Sequence, residues 1–181
     1  MPTALRVAAL AAMSAIVSAT LSATAARAHV TLDPGEAAVG STYRATLRLP
    51  HGCEGEPTLK VRVRIPEGVI AVKPMPKPGW TLETVTAPYA MPYDNFGTQM
   101  TEGVVEVIWT GKLLDEHYDE FVFRGKVTDS LAAESALFFP TVQECTTKVE
   151  RWIEIPADGQ DPDTLEFPAP GIELLPAAGD D

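Results

Sequence analysis

The sequence predicts an all-β chain: a β-sandwich of the immunoglobulin/cupredoxin-like class behind an N-terminal signal peptide. Three observations predict it. Several stretches alternate apolar and polar residues with a period of two. Gly and Pro clusters punctuate those stretches at near-regular spacing. Beyond residue 28 there is no second long apolar run and no extended helical periodicity.

The first 28 residues read as an export signal. Residues 1–6 carry one base, Arg6. Residues 7–21 form an apolar run of about 15 residues, short of the roughly 20 that a membrane-spanning helix needs. The segment ends Ala26-Arg27-Ala28, a small-x-small cleavage signal, so cleavage after Ala28 makes His29 the first residue. A cut after Ala25 would leave Ala26 in front instead. The expected destination is periplasmic or secreted.

Cleavage leaves 153 residues, divided here into a β-sandwich at 29–156 and an acidic, Pro-rich tail at 157–181, read as an extended strap or disorder. The mature chain carries 12 Lys and Arg against 25 Asp and Glu, a formal charge of −13. That balance argues against nucleic acid, whose binding relies on neutralising phosphate. It is compatible with cation binding but does not show it, since acidic surfaces are common in soluble proteins.

The strands follow in order. Tyr43, Ala45, Leu47 and Leu49 alternate with Thr42, Arg44, Thr46 and Arg48. Leu59, Val61, Val63 and Ile65 alternate with Lys60, Arg62 and Arg64. Both read as half-buried strands. Further strands are expected at 30–32, 69–73, 80–86, 104–109, 118–126, 137–141 and 149–155. Residues 73–79 (KPMPKPG) cannot join a central strand. Residues 86–99 read as a long loop holding Tyr89, Tyr93 and Phe96, and 130–136 as one helical turn. Cys53 and Cys145 are an even pair far apart in sequence, which in an oxidising compartment reads as one structural disulfide. The alternative is two free thiols, one of them a metal ligand.

Three residues stand out chemically. A free N-terminal His29 offers its α-amine and its imidazole Nδ1, which together close a six-membered chelate ring. Their ordinary pKa values, about 7.7–8.0 and 6.5, let both lose protons near neutral pH. Two nitrogen donors suit Cu(II), which tops the divalent affinity order. The plainer reading is that His29 merely follows a cleavage site. In strand 118–126, Phe121 and Phe123 point to the core, leaving Glu120 on the other face with Val122 and Arg124. It is an oxygen donor there, or a solvated acid paired with Arg124. In strand 149–155, Trp152 alternates with the aliphatics and shares a face with Glu150 and Glu154. It either shields a site or packs in the core.

Other sites are set aside. No His or Met follows Cys145, so the close grouping of a blue-copper site is absent. There is no C-x-x-C or H-x-x-x-H for structural zinc, no G-x-S-x-G and no phosphate loop. His51 and His117 read as isolated, solvated loop residues.

The run His29-Val30-Thr31-Leu32-Asp33-Pro34, then Gly40-Ser41, resembles the YcnI-like family of exported bacterial copper-binding proteins. So do Arg64-Ile65-Pro66-Glu67-Gly68-Val69, Pro78-Gly79-Trp80, Asp119-Glu120-Phe121-Val122-Phe123 and Glu150-Arg151-Trp152. The resemblance spans about 29–155. It implies a β-sandwich binding Cu(II) through a monohistidine brace: His29 amine and imidazole, a strand acid at Glu120 (or neighbouring Asp119), and Trp152 near the metal. Cys53 and Cys145 fit a disulfide-bearing version of it. It implies a non-enzymatic copper chaperone or homeostasis factor, whose partners are copper and other periplasmic copper-handling proteins or membrane copper transporters. A homodimer through edge strands is a further expectation. Two alternatives remain open: a copper-dependent polysaccharide monooxygenase, which needs a second His beside His29, and a metal-free interaction sandwich.

Overall fold

The computed structural model describes residues 29–177 and 179. The signal peptide expected at 1–28 lies outside the described residues. Among the described residues the strands are β1 (Thr31–Asp33), β2 (Glu36–Ala38), β3 (Thr42–Leu49), β4 (Thr58–Arg64), β5 (Val69–Pro74), β6 (Thr81–Asn95), β7 (Thr98–Leu113), β8 (Asp119–Val127), β9 (Ser135–Phe138), β10 (Thr141–Cys145), β11 (Val149–Trp152) and β12 (Gly171–Leu175). One short 3-10 turn, Pro162–Thr164, is the helical piece among them. No helix of the described residues is long and apolar enough to cross a membrane.

A four-stranded sheet, β1-β3-β8-β5, faces a five-stranded sheet, β11-β10-β4-β7-β6. The period-two alternation is the cause. Tyr43, Ala45, Leu47 and Leu49 of β3, with Phe121 and Phe123 of β8, meet Val61 and Val63 of β4 and Val107 and Trp109 of β7, all buried. Phe121 bridges the sheets, 5.4 Å from Trp109 and 4.8 Å from Trp80 by ring centroids. Burying an aromatic side chain of this kind contributes about 1.5–3 kcal/mol. A third sheet, β2-β12-β9, adds Ala37, Leu137, Ile172 and Leu174 to the same core.

The Cys53–Cys145 disulfide forms as expected, across 92 residues. Several expectations need correction. Residues 86–99 are not a loop but the distal half of a long β6–β7 hairpin. Its two-residue turn, Phe96-Gly97, has positive φ at both positions. That conformation matches the strand twist, but Phe96 lacks the Asn or Gly signature that would have announced it. Residues 130–136 form no helical turn; bends lead directly into β9. The expected strand 137–141 is split at Pro140, where the chain passes from the three-stranded to the five-stranded sheet. Residues 73–79 do avoid the sheet centre, since β5 is an edge strand ending at Pro74.

The segment after Pro156 is a strap, and it is packed rather than disordered. The Ala169 N–H donates to the Glu154 carbonyl at 2.8 Å, and the Glu154 N–H to the Phe167 carbonyl at 3.1 Å. Its β12 then pairs in parallel with β2 and antiparallel with β9, burying Ile172 and Leu174. Five prolines between 156 and 176 break the alternation that would mark these contacts in the sequence.

Candidate metal site

His29 lies one residue before the Val30–Leu32 stretch whose alternate side chains enter the core. β1 is the outer strand of its sheet and β11 the outer strand of the facing sheet. His29 thus arrives where the two sheets' edges meet, and there it packs on Trp152. The rings are 6.0 Å apart by centroid and inclined by 61°. The His29 side chain is 14% exposed. Its Nε2 is buried with no hydrogen-bond partner. Its Nδ1 lies 3.6 Å from Oδ1 of Asp163, whose side chain is 84% exposed. Asp163 stands in the 3-10 turn of the strap, where the Asp161 carboxylate accepts its backbone N–H at 3.0 Å.

Trp152 is buried, as the core-packing reading of its strand has it. The face carrying Glu150 and Trp152 turns inward, while Val149, Ile153 and Ile155 are 47%, 43% and 59% exposed. One indole removes more apolar surface from water than any of those aliphatics. The ring is fixed on three sides. His29 meets one edge, and Phe167 from the strap lies 5.2 Å away by centroid. The indole N–H donates to Oε1 of Gln143 at 3.1 Å. Gln143 is fully buried; its amide nitrogen donates to the His51 carbonyl and to Thr58 Oγ1, both at 2.8 Å. Thr58 in turn lies 3.9 Å from Sγ of Cys145, so this network reaches the disulfide.

Glu120 lies on β8, in the same sheet as β1 and two strands over from it. Thr31, Arg48 and Glu120 form one cross-strand row over β1, β3 and β8. Two inter-strand spacings separate the backbones of Thr31 and Glu120, about 10 Å. Glu120 pairs with Arg48 Nε at 3.5 Å and accepts the Tyr118 hydroxyl, not Arg124. That hydroxyl bond holds the phenol proton on and raises the Tyr118 pKa. Asp119 is held by Lys77 at 2.6 Å. Among the described residues, Asp163 is the carboxylate within 4 Å of a His29 ring nitrogen. The structure therefore brings His29 and Trp152 together and adds two residues that the sequence reading missed. Gln143 had a signal: it is a polar residue between Thr141 and Cys145 on the inward face of β10. Asp163 had none, because only the fold of the strap returns it to His29.

His51 is half-buried, its Nδ1 2.5 Å from the Gly52 carbonyl, and His117 is exposed at the turn between β7 and β8. Among the described residues no three His, Cys, Asp or Glu side chains converge to hold a metal ion. A metal here would need donors beyond these side chains.

A family model, "Domain of unknown function (DUF1775)", matches residues 29–174. A crystal structure of an uncharacterized protein from Nocardia farcinica, said to reveal an immunoglobulin-like fold, is similar over 81% of this chain and 98% of that one. The identity is 30% and the TM-score 0.60. No curated protein matches the chain. The two facing sheets are thus an immunoglobulin-like sandwich, and the chain belongs to the DUF1775 family, the one to which the YcnI-like resemblance pointed.

Proposed function

We propose that this is an exported, periplasmic Cu(II)-binding protein, a copper chaperone or homeostasis factor rather than an enzyme. Copper is its cargo. The α-amine and Nδ1 of His29 bind the ion as a chelate after the signal peptide is removed. The observation that carries this reading is the placement of His29. Its Nδ1, the nitrogen able to share a ring with its own α-nitrogen, faces a carboxylate at 3.6 Å, while the ring is packed against Trp152. Packing fixes the imidazole before the metal arrives, which lowers the ordering cost of binding. The family match beginning at residue 29 also supports His29 as the start of the functional unit.

Two residues compete to supply the oxygen donor. The resemblance favours Glu120; the distance to His29 favours Asp163. Either leaves few protein ligands, a site suited to release as much as to capture. Before cleavage the His29 nitrogen is an amide, a poor donor while it keeps its proton, so export switches the site on.

The test is a Cu(II) titration of the chain beginning at His29 against the same chain with one Ala added ahead of it. The expected result is loss of the tight site, by at least a hundredfold in affinity, on adding the Ala. Unchanged affinity would overturn the chelate. Asp163→Asn and Glu120→Gln, titrated alongside, identify the oxygen donor as the one whose change weakens binding.

A further inference from the structure

A groove of about 1000 Å³ opens beside His29, between β1 on one side and the strap on the other. Its walls have two kinds of chemistry. Ile155, 59% exposed, and Phe138 offer apolar surface inside the concavity. Glu134, Asp158, Asp163 and Glu173 place four carboxylates around it, all on exposed residues. Among the described residues that line it there is no Lys or Arg. An exposed isoleucine is ordinary on a convex surface; within a cleft it is a contact waiting for a partner.

The geometry points to this groove as a docking site for an extended, cationic segment of a partner protein, one that alternates apolar and basic residues. Charge complementarity selects the sign, since four carboxylates with no Lys or Arg among the lining residues attract basic side chains and repel acidic segments. The same argument removes other occupants. A second copy of this chain brings a strongly acidic surface, and nucleic acid and anionic lipid bring phosphate. The extended shape follows from the walls. β1 and β9 are outer strands of their sheets, and both line the groove. Outer strands present unpaired backbone groups that an extended chain can meet. A segment seated there would end next to His29. That it exchanges copper with His29 rests on the function proposed above; that it binds does not.

The probe is a capped eight-residue peptide alternating Lys and Val, titrated into the metal-free chain beginning at His29. Capped Glu-Val and Lys-Gly peptides and spermine serve as comparisons. The expected result is that Lys-Val binds at least tenfold tighter than all three. Its amide shifts should centre on Ile155, Phe138 and Glu134. Binding should weaken at least tenfold in Glu134→Lys/Asp158→Lys and in Ile155→Ser, exposed positions whose exchange spares the core. Equal binding by Lys-Gly or spermine would overturn the proposal, showing bulk charge alone. So would the absence of binding, or binding unchanged in both variants. The chain with an added Ala ahead of His29 separates the two claims. It should bind Lys-Val as before even where tight copper binding is lost. Failure of the peptide with copper binding intact sinks the groove alone.

Discussion

The indole N–H of Trp152 donates to the side-chain carbonyl of Gln143 at 3.1 Å, with both residues buried. This bond sets the rotation of the ring that His29 packs against. It also explains a polar residue at a core position, because every hydrogen-bonding group on the Gln143 amide has work: one acceptor and two donated bonds.

Gln143→Leu should therefore destabilise the fold beyond its small change in volume. It leaves the Trp152 N–H buried without a partner, at about 1–3 kcal/mol. Urea unfolding should show a lower midpoint with an unchanged slope. Gln143→Glu, which keeps an acceptor for the indole, should recover the Trp152 fluorescence maximum even where stability is not recovered.

Copper binding should be visible in that same fluorescence. The chain has three tryptophans, and Trp152 is the one whose ring meets His29. A paramagnetic Cu(II) held by His29 should quench Trp152 more than Trp80 and Trp109, whose rings meet Phe121 instead. Trp152→Phe should remove the larger part of the copper-dependent quenching. Quenching undiminished in that variant would place the metal elsewhere.

Glu150 gives a pH dependence with a definite sign. Burial raises its carboxyl pKa; His51 and Lys148 oppose the rise, and Glu54 and Asp115 add to it. One of its oxygens is buried without a hydrogen-bond partner. A raised folded-state pKa means that the folded chain holds this proton where the unfolded chain has released it. Its contribution is fully present below the unfolded carboxylate pKa and is lost as pH rises through the raised value. Glu150→Gln should then raise the thermal midpoint at pH 7, with the gain shrinking towards pH 4. An equal gain at both would exclude the carboxylate charge as its cause.

Removing the disulfide with Cys53→Ser/Cys145→Ser should cost about 2–5 kcal/mol, because the bond closes a long loop in the unfolded chain. The thermal midpoint should fall by roughly 10 °C. Since Thr58 touches both Cys145 and Gln143, the reduced chain should also show a changed Trp152 environment.

The sequence by itself determined the sandwich. In β3, β4 and β8 each residue's side is set by the two-residue period, so Leu47, Val63 and Phe121 could be assigned to the core without coordinates. It also favoured the disulfide that the structure shows, and it singled out His29 and Trp152. Tertiary structure alone decided which face of β11 turns inward, because alternation gives two faces and not their direction. It alone decided that 86–99 is a hairpin, since Phe96 hides the turn, and that the strap is packed, since its prolines erase the period. It alone set Asp163 beside His29 and Glu120 beside Arg48. Those pairings join residues 134 and 72 positions apart, and a distance of that kind is fixed by how sheets and strap close on one another, not by any local preference of the chain.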